Sequence, residues 1–265
     1  MYHPIDSRYL YSAAKLSIAF EDEYGKFHSA SGTGFVFGIG EGKKISVLIS
    51  NRHVLDAGFS DLRKRQWALK GIIFSGYGNS KEYFEIDVND WELVFTSNGE
   101  EDIAALVLKK CSFLKGEERF SGVVNFDLDI LADHQFHDLL NVGDFVVLPG
   151  YPEFHDKNTN RPILRSGIIA SDPLHDYAGP GMAVGLRTLA YEAFSTAGTS
   201  GGPVFALGVG FLLEGDISGG SYRPPRIIGI NAGHISMGNS GSHSGISYLY
   251  KSTVIIELLG KVLQA

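Results

Sequence analysis

The chain has 265 residues, which is enough for one large domain or two small ones with substantial hydrophobic cores. Hydrophobic residues make up 44% and charged residues 20%, a composition typical of a soluble globular protein. The net charge of −7 argues against nucleic acid as the main partner. No apolar run approaches the roughly 18 residues of a membrane span, so no membrane partner is expected.

Cysteine content and the N-terminal residues bear on the cellular compartment. The single cysteine, Cys111, excludes an intramolecular disulfide, so the fold does not rely on oxidising surroundings. The N-terminus lacks the basic segment and apolar core of a signal peptide. We therefore expect a cytoplasmic protein, although a chain from which a leader had been removed would look the same.

The first part of the chain is predicted to be rich in strands. Residues 5–14 are expected to form a short helix or an arm. Short β-branched and aromatic runs separated by turn residues then predict strands over residues 15–21, 31–38, 45–50, 67–74, 83–88, 91–96 and 103–108. Their number and spacing favour a small closed barrel.

The second part repeats this pattern and ends in a helix. Strands are predicted over residues 142–152, 163–170, 182–189, 204–207, 227–230 and 246–250, with a long hairpin or loop over 208–226. Ser252 resembles a helix N-cap, and the apolar residues after it recur at helical spacing. The predicted organisation is an N-terminal barrel over residues 1–111, a linker over 112–140, and a C-terminal barrel with its helix over 141–265.

One stretch, residues 196–205, places Ser200 among small residues and ahead of a proline and an apolar run. Glycines beside a serine allow backbone conformations that a Cβ would forbid. Such a backbone can aim N–H groups at one point beside the hydroxyl, as acyl transfer requires for its oxyanion. The alternative interpretation is a flexible Gly/Ser turn between strands.

A serine nucleophile needs a base, usually a histidine oriented by a carboxylate. His53 directly follows a predicted buried strand, and Asp102 begins another. Each also has an ordinary interpretation, as a loop histidine and as an acid in a turn. Glu100 and Glu101 are expected to be the solvated part of that turn.

Three segments carry a resemblance to a known family. They are Ile49-Ser50-Asn51-Arg52-His53-Val54, Asp102-Ile103-Ala104-Ala105-Leu106 and Gly198-Thr199-Ser200-Gly201-Gly202-Pro203. In this order they resemble the histidine, aspartate and nucleophile motifs of the trypsin-like (chymotrypsin-fold) serine peptidases. The second half is most similar to the bacterial HtrA-like branch, through Val142-Gly143-Asp144-Phe145-Val146-Val147, Gly150-Tyr151-Pro152, Arg165-Ser166-Gly167-Ile168-Ile169-Ala170 and Ile228-Gly229-Ile230-Asn231. No PDZ domain is visible in the sequence, so regulation through one is not carried over.

The resemblance implies an all-β fold of two antiparallel six-stranded β-barrels, with the active site in the cleft between them and a C-terminal helix. It implies a serine endopeptidase acting on protein or peptide substrates without a cofactor or metal. Ser200 would be the nucleophile, His53 the base and Asp102 the orienting acid. The N–H groups of Gly198 and Ser200 would form the oxyanion hole.

Two aspects of the resemblance concern activation and specificity. Thr199 stands where activated digestive enzymes have an aspartate, so either other contacts set the loops or the oxyanion hole is disordered at rest. Phe194 would lie at the floor of the primary pocket, which does not support cleavage after Lys or Arg. Ser195 and the segment Asn231-Ala232-Gly233 would line this pocket and pair with substrate. We expect a small or medium uncharged substrate residue, and we expect His234 to be misaligned with the pocket histidine of glutamate-specific relatives.

Three other interpretations of the sequence are possible. The Gly198-x-Ser200-x-Gly202 pattern also fits the nucleophile elbow of α/β-hydrolases, with Asp216 and His234 or His243 as partners, but the chain lacks alternating strands and helices. An inactive trypsin-like module that binds protein partners is a second alternative. The segment His134-Gln135-Phe136-His137-Asp138 could suggest a metal site, but it is expected to be ordinary surface.

Overall fold

The computed structural model describes residues 6–43, 45–76, 84–86, 91–108, 125–210, 222–237 and 242–264. The first half of the chain forms a mainly antiparallel sheet. Its strands are β1 (Ala14–Asp22), β2 (Phe27–Ile39), β3 (Ile45–Ser50), β4 (Trp67–Ser75), β5 (Phe84–Ile86), β6 (Trp91–Phe95), β7 (Ala104–Leu108) and β8 (Asn125–Phe126). Their order is β5-β4-β1-β2-β3-β7-β6, and β8 pairs in parallel with β2. We call this the first sheet; within the described ranges it is a half-barrel.

The second half of the chain closes into a barrel. Its strands are β9 (Phe145–Gly150), β10 (Ile163–Ile169), β11 (Thr188–Glu192), β12 (Pro203–Ala206), β13 (Arg226–Met237) and β14 (Ser242–Lys251). They follow the circular order β10-β11-β14-β13-β12-β9, with antiparallel neighbours throughout. We call this the second barrel.

Helices are short except for the last. They are α1 (Ser7–Leu10), α2 (Arg52–Leu55), α3 (Ala57–Ser60), α4 (His134–His137) and α5 (Ser252–Gln264), with 3₁₀ turns at Glu41–Lys43 and Leu128–Ile130. None of the helices in the described ranges is long and apolar enough to cross a membrane.

The hydrophobic core has one cluster that joins the two halves. Alternation along β1 buries one face of that strand, as period-two patterning requires. In the joining cluster, Phe35 and Ile49 of the first sheet pack with Phe205 of the second barrel and with Val254 and Leu258 of α5. The final helix is therefore part of the junction, and its apolar stripe explains why the sequence pattern identified it.

The predicted all-β, double-barrel architecture with a C-terminal helix is confirmed. The strand predicted over 182–189 was wrong in its first part, because Gly181 and Gly185 adopt φ values of 78° and 88° and the strand begins only at Thr188. The strand predicted over 227–230 continues to Met237. Register shifts allow it to stay paired with β14 beyond the end of the apolar run.

Some predictions fall on residues outside the described ranges. Cys111 is among them, as are residues 83, 87 and 88 of the strand predicted over 83–88, part of the segment 208–226 and residues 112–124 of the predicted linker. The remaining linker residues include β8 and α4. The domain boundaries at 111 and 140 stay predictions.

Candidate active site

His53 and Asp102 are brought together by strand pairing. β3 and β7 are antiparallel neighbours, and Ser50 is paired with Ala104. The residues that leave β3 therefore lie beside those that enter β7. The side chain of Asn51 fixes this junction by donating from Nδ2 to the carbonyl oxygen of Asp102 at 2.7 Å.

The carboxylate of Asp102 holds His53 at two points. Oδ1 accepts from the backbone N–H of His53 at 2.7 Å, and Oδ2 lies 2.6 Å from its Nδ1. Because an ionised carboxylate only accepts hydrogen bonds, we assign the ring hydrogen to Nδ1. Nε2 is then the basic nitrogen. The side chains are 32% and 14% exposed, so the base remains accessible while the acid is largely covered.

Ser200 lies in the turn that precedes β12, close to the segment that carries His53. Its carbonyl oxygen accepts from the N–H of Thr33 on β2 at 2.8 Å. A Cβ built on Gly32 would lie 2.6 Å from the Val54 side chain and 3.4 Å from the Ser200 carbonyl oxygen. Gly32 therefore lies between the segment that carries His53 and the loop that carries Ser200, where a side chain would not fit. Among the described residues, no hydrogen bond joins the Ser200 hydroxyl to His53; such contacts often tighten only when substrate binds.

Two glycines around Ser200 have conformations that the sequence pattern anticipated. Gly198 and Gly201 have φ values of 89° and 88°. A Cβ on Gly198 would collide with the carbonyl oxygen of Tyr151, and one on Gly201 with the carbonyl oxygen of Thr33. Both positions therefore require glycine for conformation and for space.

Around Ser200, some backbone N–H groups donate hydrogen bonds within the protein and others do not. Thr199 donates to the carbonyl oxygen of Thr196 at 3.0 Å, and Gly201 donates to that of Asn231 at 2.9 Å. The N–H groups of Gly198 and Ser200 donate no hydrogen bond to any described residue. Two uncommitted N–H groups flanking one residue are the donors that an oxyanion would require.

A buried network of hydrogen bonds between uncharged groups holds the loop that carries Ser200 in place. Asn231, 1% exposed, donates from Nδ2 to the Thr199 carbonyl oxygen at 3.0 Å and accepts from the Tyr191 hydroxyl at 2.6 Å. The Thr199 hydroxyl donates to the carbonyl oxygen of Thr196 at 2.6 Å. Thr199 thus has partners that an aspartate at this position would not reproduce. The backbone N–H of Asn231 donates to the Gly202 carbonyl oxygen at 2.9 Å, so Asn231 supports the loop through both its side chain and its backbone. Its predicted contact with substrate therefore falls to the neighbouring residues, Ala232 and Gly233.

Thr33 is a site-supporting residue that sequence reasoning missed. Its hydroxyl donates to the Gly198 carbonyl oxygen at 2.6 Å and accepts from the Tyr151 N–H at 3.1 Å. The signal in the sequence was weak, because a threonine in a glycine-punctuated strand has no pattern of its own. Only the docking of β2 against the second barrel gives it this role.

Glu101 corrects a sequence-based expectation. It is 1% exposed, not solvated, and it accepts two hydrogen bonds from Arg187, at 2.9 and 2.8 Å. Arg187 also binds Glu257 of α5 at 2.8 Å. A buried carboxylate requires such a partner, and the partner comes from a distant part of the chain. Glu100 is exposed, as expected.

The predicted pocket residues lie around a small polar cluster. Phe194 is exposed, whereas Ser195 and Ala232 are buried and Gly233 is half-buried. The Ser195 Oγ atom is 3.4 Å from the carbonyl oxygen of Gly233. The structure thus places these residues side by side at one end of the second barrel.

The segment considered as a metal site is not ordinary surface throughout. His134 is exposed, but His137 is buried and its Nε2 lies 2.9 Å from Ser252 Oγ. Burial lowers the pKa of His137 to about 4. It was expected at the surface because the four-residue helix α4 is too short to show a periodic buried face.

The fold is that of the trypsin-like serine proteases. The HtrA-type protease AlgW in complex with a decapeptide has a TM-score of 0.57 and 18% identity, over 97% of this chain and 66% of that chain. The protease Anisep from Arthrobacter nicotinovorans has a TM-score of 0.54 and 20% identity, over 97% of both chains. An inactivated protease paralogue of the scabies mite has a TM-score of 0.57 and 14% identity, over 99% of this chain and 98% of that chain.

These similarities establish the fold. The chain spans 62–66% of the length of the AlgW chains it matches. No protein-family model matches the chain, and no curated protein matches it.

Proposed function

We propose that the protein is a serine endopeptidase that hydrolyses peptide bonds through Ser200, His53 and Asp102. The observation that carries the proposal is the double attachment of His53 to Asp102, through its backbone N–H and Nδ1 at 2.7 and 2.6 Å. This attachment fixes the ring and leaves Nε2 as the base. A histidine oriented in this way is what a serine nucleophile requires.

The proposed reaction has two halves. Ser200 Oγ attacks the substrate carbonyl carbon while His53 Nε2 takes its proton, and the negative charge forms on the carbonyl oxygen beside the N–H groups of Gly198 and Ser200. His53 then gives the proton to the leaving amine, which leaves an acyl-enzyme. Water, activated by His53, hydrolyses this ester and restores Ser200.

The N–H groups assigned to the oxyanion hole are supported by their lack of partners among the described residues. Asp102 would stabilise the imidazolium that forms in each half. The substrate would be a protein or peptide bound in the cleft, next to Phe194, Ser195 and the segment 231–233. The proposed reaction needs no cofactor. We also propose a cytoplasmic location, which the single cysteine supports.

A second candidate is a catalytically latent module that binds protein partners. It is favoured by one observation, the absence of a hydrogen bond between Ser200 and His53 in the described part of the chain. The fold is also shared with an inactivated protease paralogue. The two candidates differ in whether the Ser200 hydroxyl reacts.

The test is labelling with a fluorophosphonate probe, which traps a serine activated by a neighbouring base. We expect the wild-type protein to label, and the Ser200→Ala and His53→Ala variants to lose labelling. Ser60→Ala serves as a control, because it removes an exposed serine hydroxyl of α3 outside the proposed triad and pocket. If folded wild-type protein does not label, the latent module is favoured. Labelling without cleavage of a peptide library would instead indicate a different acyl substrate.

A further inference from the structure

Two histidines stack next to the predicted pocket. The rings of His234 on β13 and His243 on β14 have centroids 4.4 Å apart and an interplanar angle of 16°. The ring of Phe194 lies 4.9 Å from that of His243. A register shift between His234 and Ser236 accompanies this arrangement, and the apolar pattern of the sequence could not have indicated it.

His243 is oriented so that it donates a hydrogen bond toward this pocket. The N–H of Gly245 donates to its Nδ1 at 2.8 Å, so the neutral ring carries its hydrogen on Nε2. Nε2 lies 3.4 Å from Ser247 Oγ, which in turn is 2.9 Å from Ser195 Oγ. The imidazole N–H and the two hydroxyl groups form one continuous polar cluster.

Arg165 adds a positive charge to the same cluster. It lies on β10, three residues before Ile168, which is paired with Glu192 at the end of β11. The chain that continues from β11 toward Phe194 and Ser195 therefore runs alongside Arg165. Burial, followed by the charges of His234 and Arg165, lowers the pKa of His243.

Arg165 forms no ion pair with any described residue, although burial lowers the pKa of its guanidinium. Its guanidinium lies 5.2 Å from the Phe154 ring, a contact that does not neutralise its charge. Because no described carboxylate pairs with it, the guanidinium keeps its charge and its N–H donors available to an anionic ligand.

We propose that Arg165, His243 and Ser195 bind the carboxylate of an acidic substrate residue, glutamate or aspartate, on the amino side of the scissile bond. This inference rests on the proposed function for its position in the reaction. Ser247 is fully buried and donates its hydroxyl hydrogen to the Ala193 carbonyl oxygen at 2.8 Å, so it supports the cluster from inside the protein. A carboxylate only accepts hydrogen bonds, whereas the guanidinium and the Nε2–H only donate them. The Ser195 hydroxyl, whose contact with the Gly233 carbonyl oxygen is long at 3.4 Å, can rotate to donate. The Phe194 ring supplies an apolar wall for the aliphatic part of the substrate side chain. The proposal replaces the sequence-based expectation of an uncharged residue.

The experiment measures binding without turnover. In the Ser200→Ala protein, fluorescence polarisation compares labelled peptides that are identical except for Glu, Gln, Leu or Lys before the scissile bond. Glutamine is the decisive comparison, because it has the shape of glutamate but presents N–H donors to a donor-lined site. We expect glutamate to bind at least about tenfold more tightly than glutamine.

Substitutions test which residues are responsible for the glutamate preference. Arg165→Gln and His243→Phe, each on the Ser200→Ala background, should reduce the glutamate-to-glutamine ratio, whereas Arg63→Gln, at an exposed loop residue of the first sheet, should leave it unchanged. Circular dichroism checks that each variant is folded, and if Arg165→Gln unfolds, His243→Phe decides the outcome.

Three results would overturn the inference: equal or weaker binding of the glutamate peptide, a preference that survives in the folded variants, or no binding of any peptide at millimolar concentration. Fluorophosphonate labelling of wild-type protein separates this outcome from that of the proposed function. A glutamate preference without labelling would contradict the proposed peptidase activity and support the glutamate-binding pocket. Labelling without the preference would do the reverse.

Discussion

The side-chain hydroxyl of Thr33 donates a hydrogen bond to the carbonyl oxygen of Gly198 at 2.6 Å. Thr33 belongs to the first sheet, whereas Gly198 belongs to the loop of the second barrel that carries Ser200. The same hydroxyl accepts from the N–H of Tyr151 at 3.1 Å. One buried side chain of the first sheet therefore fixes the orientation of a peptide group in the proposed oxyanion loop.

Replacing Thr33 by valine should lower kcat by about 10- to 100-fold with a smaller change in KM. Valine keeps the shape but removes the hydroxyl, so the Gly198 carbonyl loses its donor and the adjacent N–H groups lose their fixed direction. Steady-state kinetics on a cleaved peptide measures both constants. Thr33→Ser restores the hydroxyl and should recover most of kcat; equal losses in both variants would show a packing effect instead.

Asp102→Asn should lower kcat by about 10⁴-fold while the protein stays folded. An amide nitrogen facing Nδ1 would favour the tautomer with its hydrogen on Nε2, and the base would then be lost. Single-turnover acylation, followed with a chromogenic ester, tests this directly. Glu100→Gln, at an exposed acid two residues earlier, is the matched control and should leave the rate unchanged.

Gly201→Ala should destabilise the protein by about 2 kcal/mol or more and abolish labelling of Ser200. Its φ of 88° is unfavourable for alanine, and the added methyl group would collide with the Thr33 carbonyl oxygen. Gly260→Ala is the opposite case, because this glycine lies inside α5 with nothing within 4 Å of an added Cβ. That change should stabilise the protein by about 0.5–1 kcal/mol. Urea denaturation measures both, and similar effects of the two substitutions would contradict the conformational argument.

Removing the guanidinium of Arg187 should cost about 3–5 kcal/mol of unfolding free energy, because it leaves Glu101 charged and buried without a partner. Glu257→Gln removes the second, more exposed partner of Arg187 and should cost at most about 1 kcal/mol. Chemical denaturation of Arg187→Met and Glu257→Gln gives the comparison. A loss below 1 kcal/mol in Arg187→Met would mean that Glu101 finds water or another donor.

His137 should make the protein less stable in mild acid. Burial lowers its pKa from 6.5 to about 4. Above pH 6.5 the residue is neutral in both states and has no effect. Between pH 6.5 and 4, His137 is protonated in the unfolded chain but stays neutral in the folded protein. The free energy of unfolding therefore falls by about 1.4 kcal/mol per pH unit, or about 3 kcal/mol in total.

Unfolding free energies at pH 7 and pH 4.5 would test this dependence. His137→Gln should reduce the difference between the two pH values relative to wild type. His134→Gln, three residues earlier on the exposed side of α4, should not. If both variants keep the wild-type pH dependence, other groups control acid stability.

Local signals in the sequence were sufficient for most of the strands, the final helix and the three segments of the candidate site. The strand over residues 45–50 follows from its continuous apolar run, which is buried on both faces. The glycines around Ser200 follow from the positive φ angles that the turn requires. Contacts made across the two halves have no such local cause. Thr33, Arg187 and the buried state of Glu101 depend on which loops meet after folding, and the stacking of His234 on His243 depends on a register shift.

The loop that carries Ser200 is anchored without charged groups. Thr199, Asn231 and Tyr191 hold it by hydrogen bonds between neutral atoms, all of them buried. Dissolved ions screen the interaction of exposed charges more than about 8–10 Å apart at physiological ionic strength, and closer ones at higher salt, but they have little effect on neutral buried contacts. The loop should therefore keep its shape from dilute buffer to molar salt. Under those conditions, any salt dependence of peptide binding would report on Arg165 and the substrate, and not on the nucleophile loop.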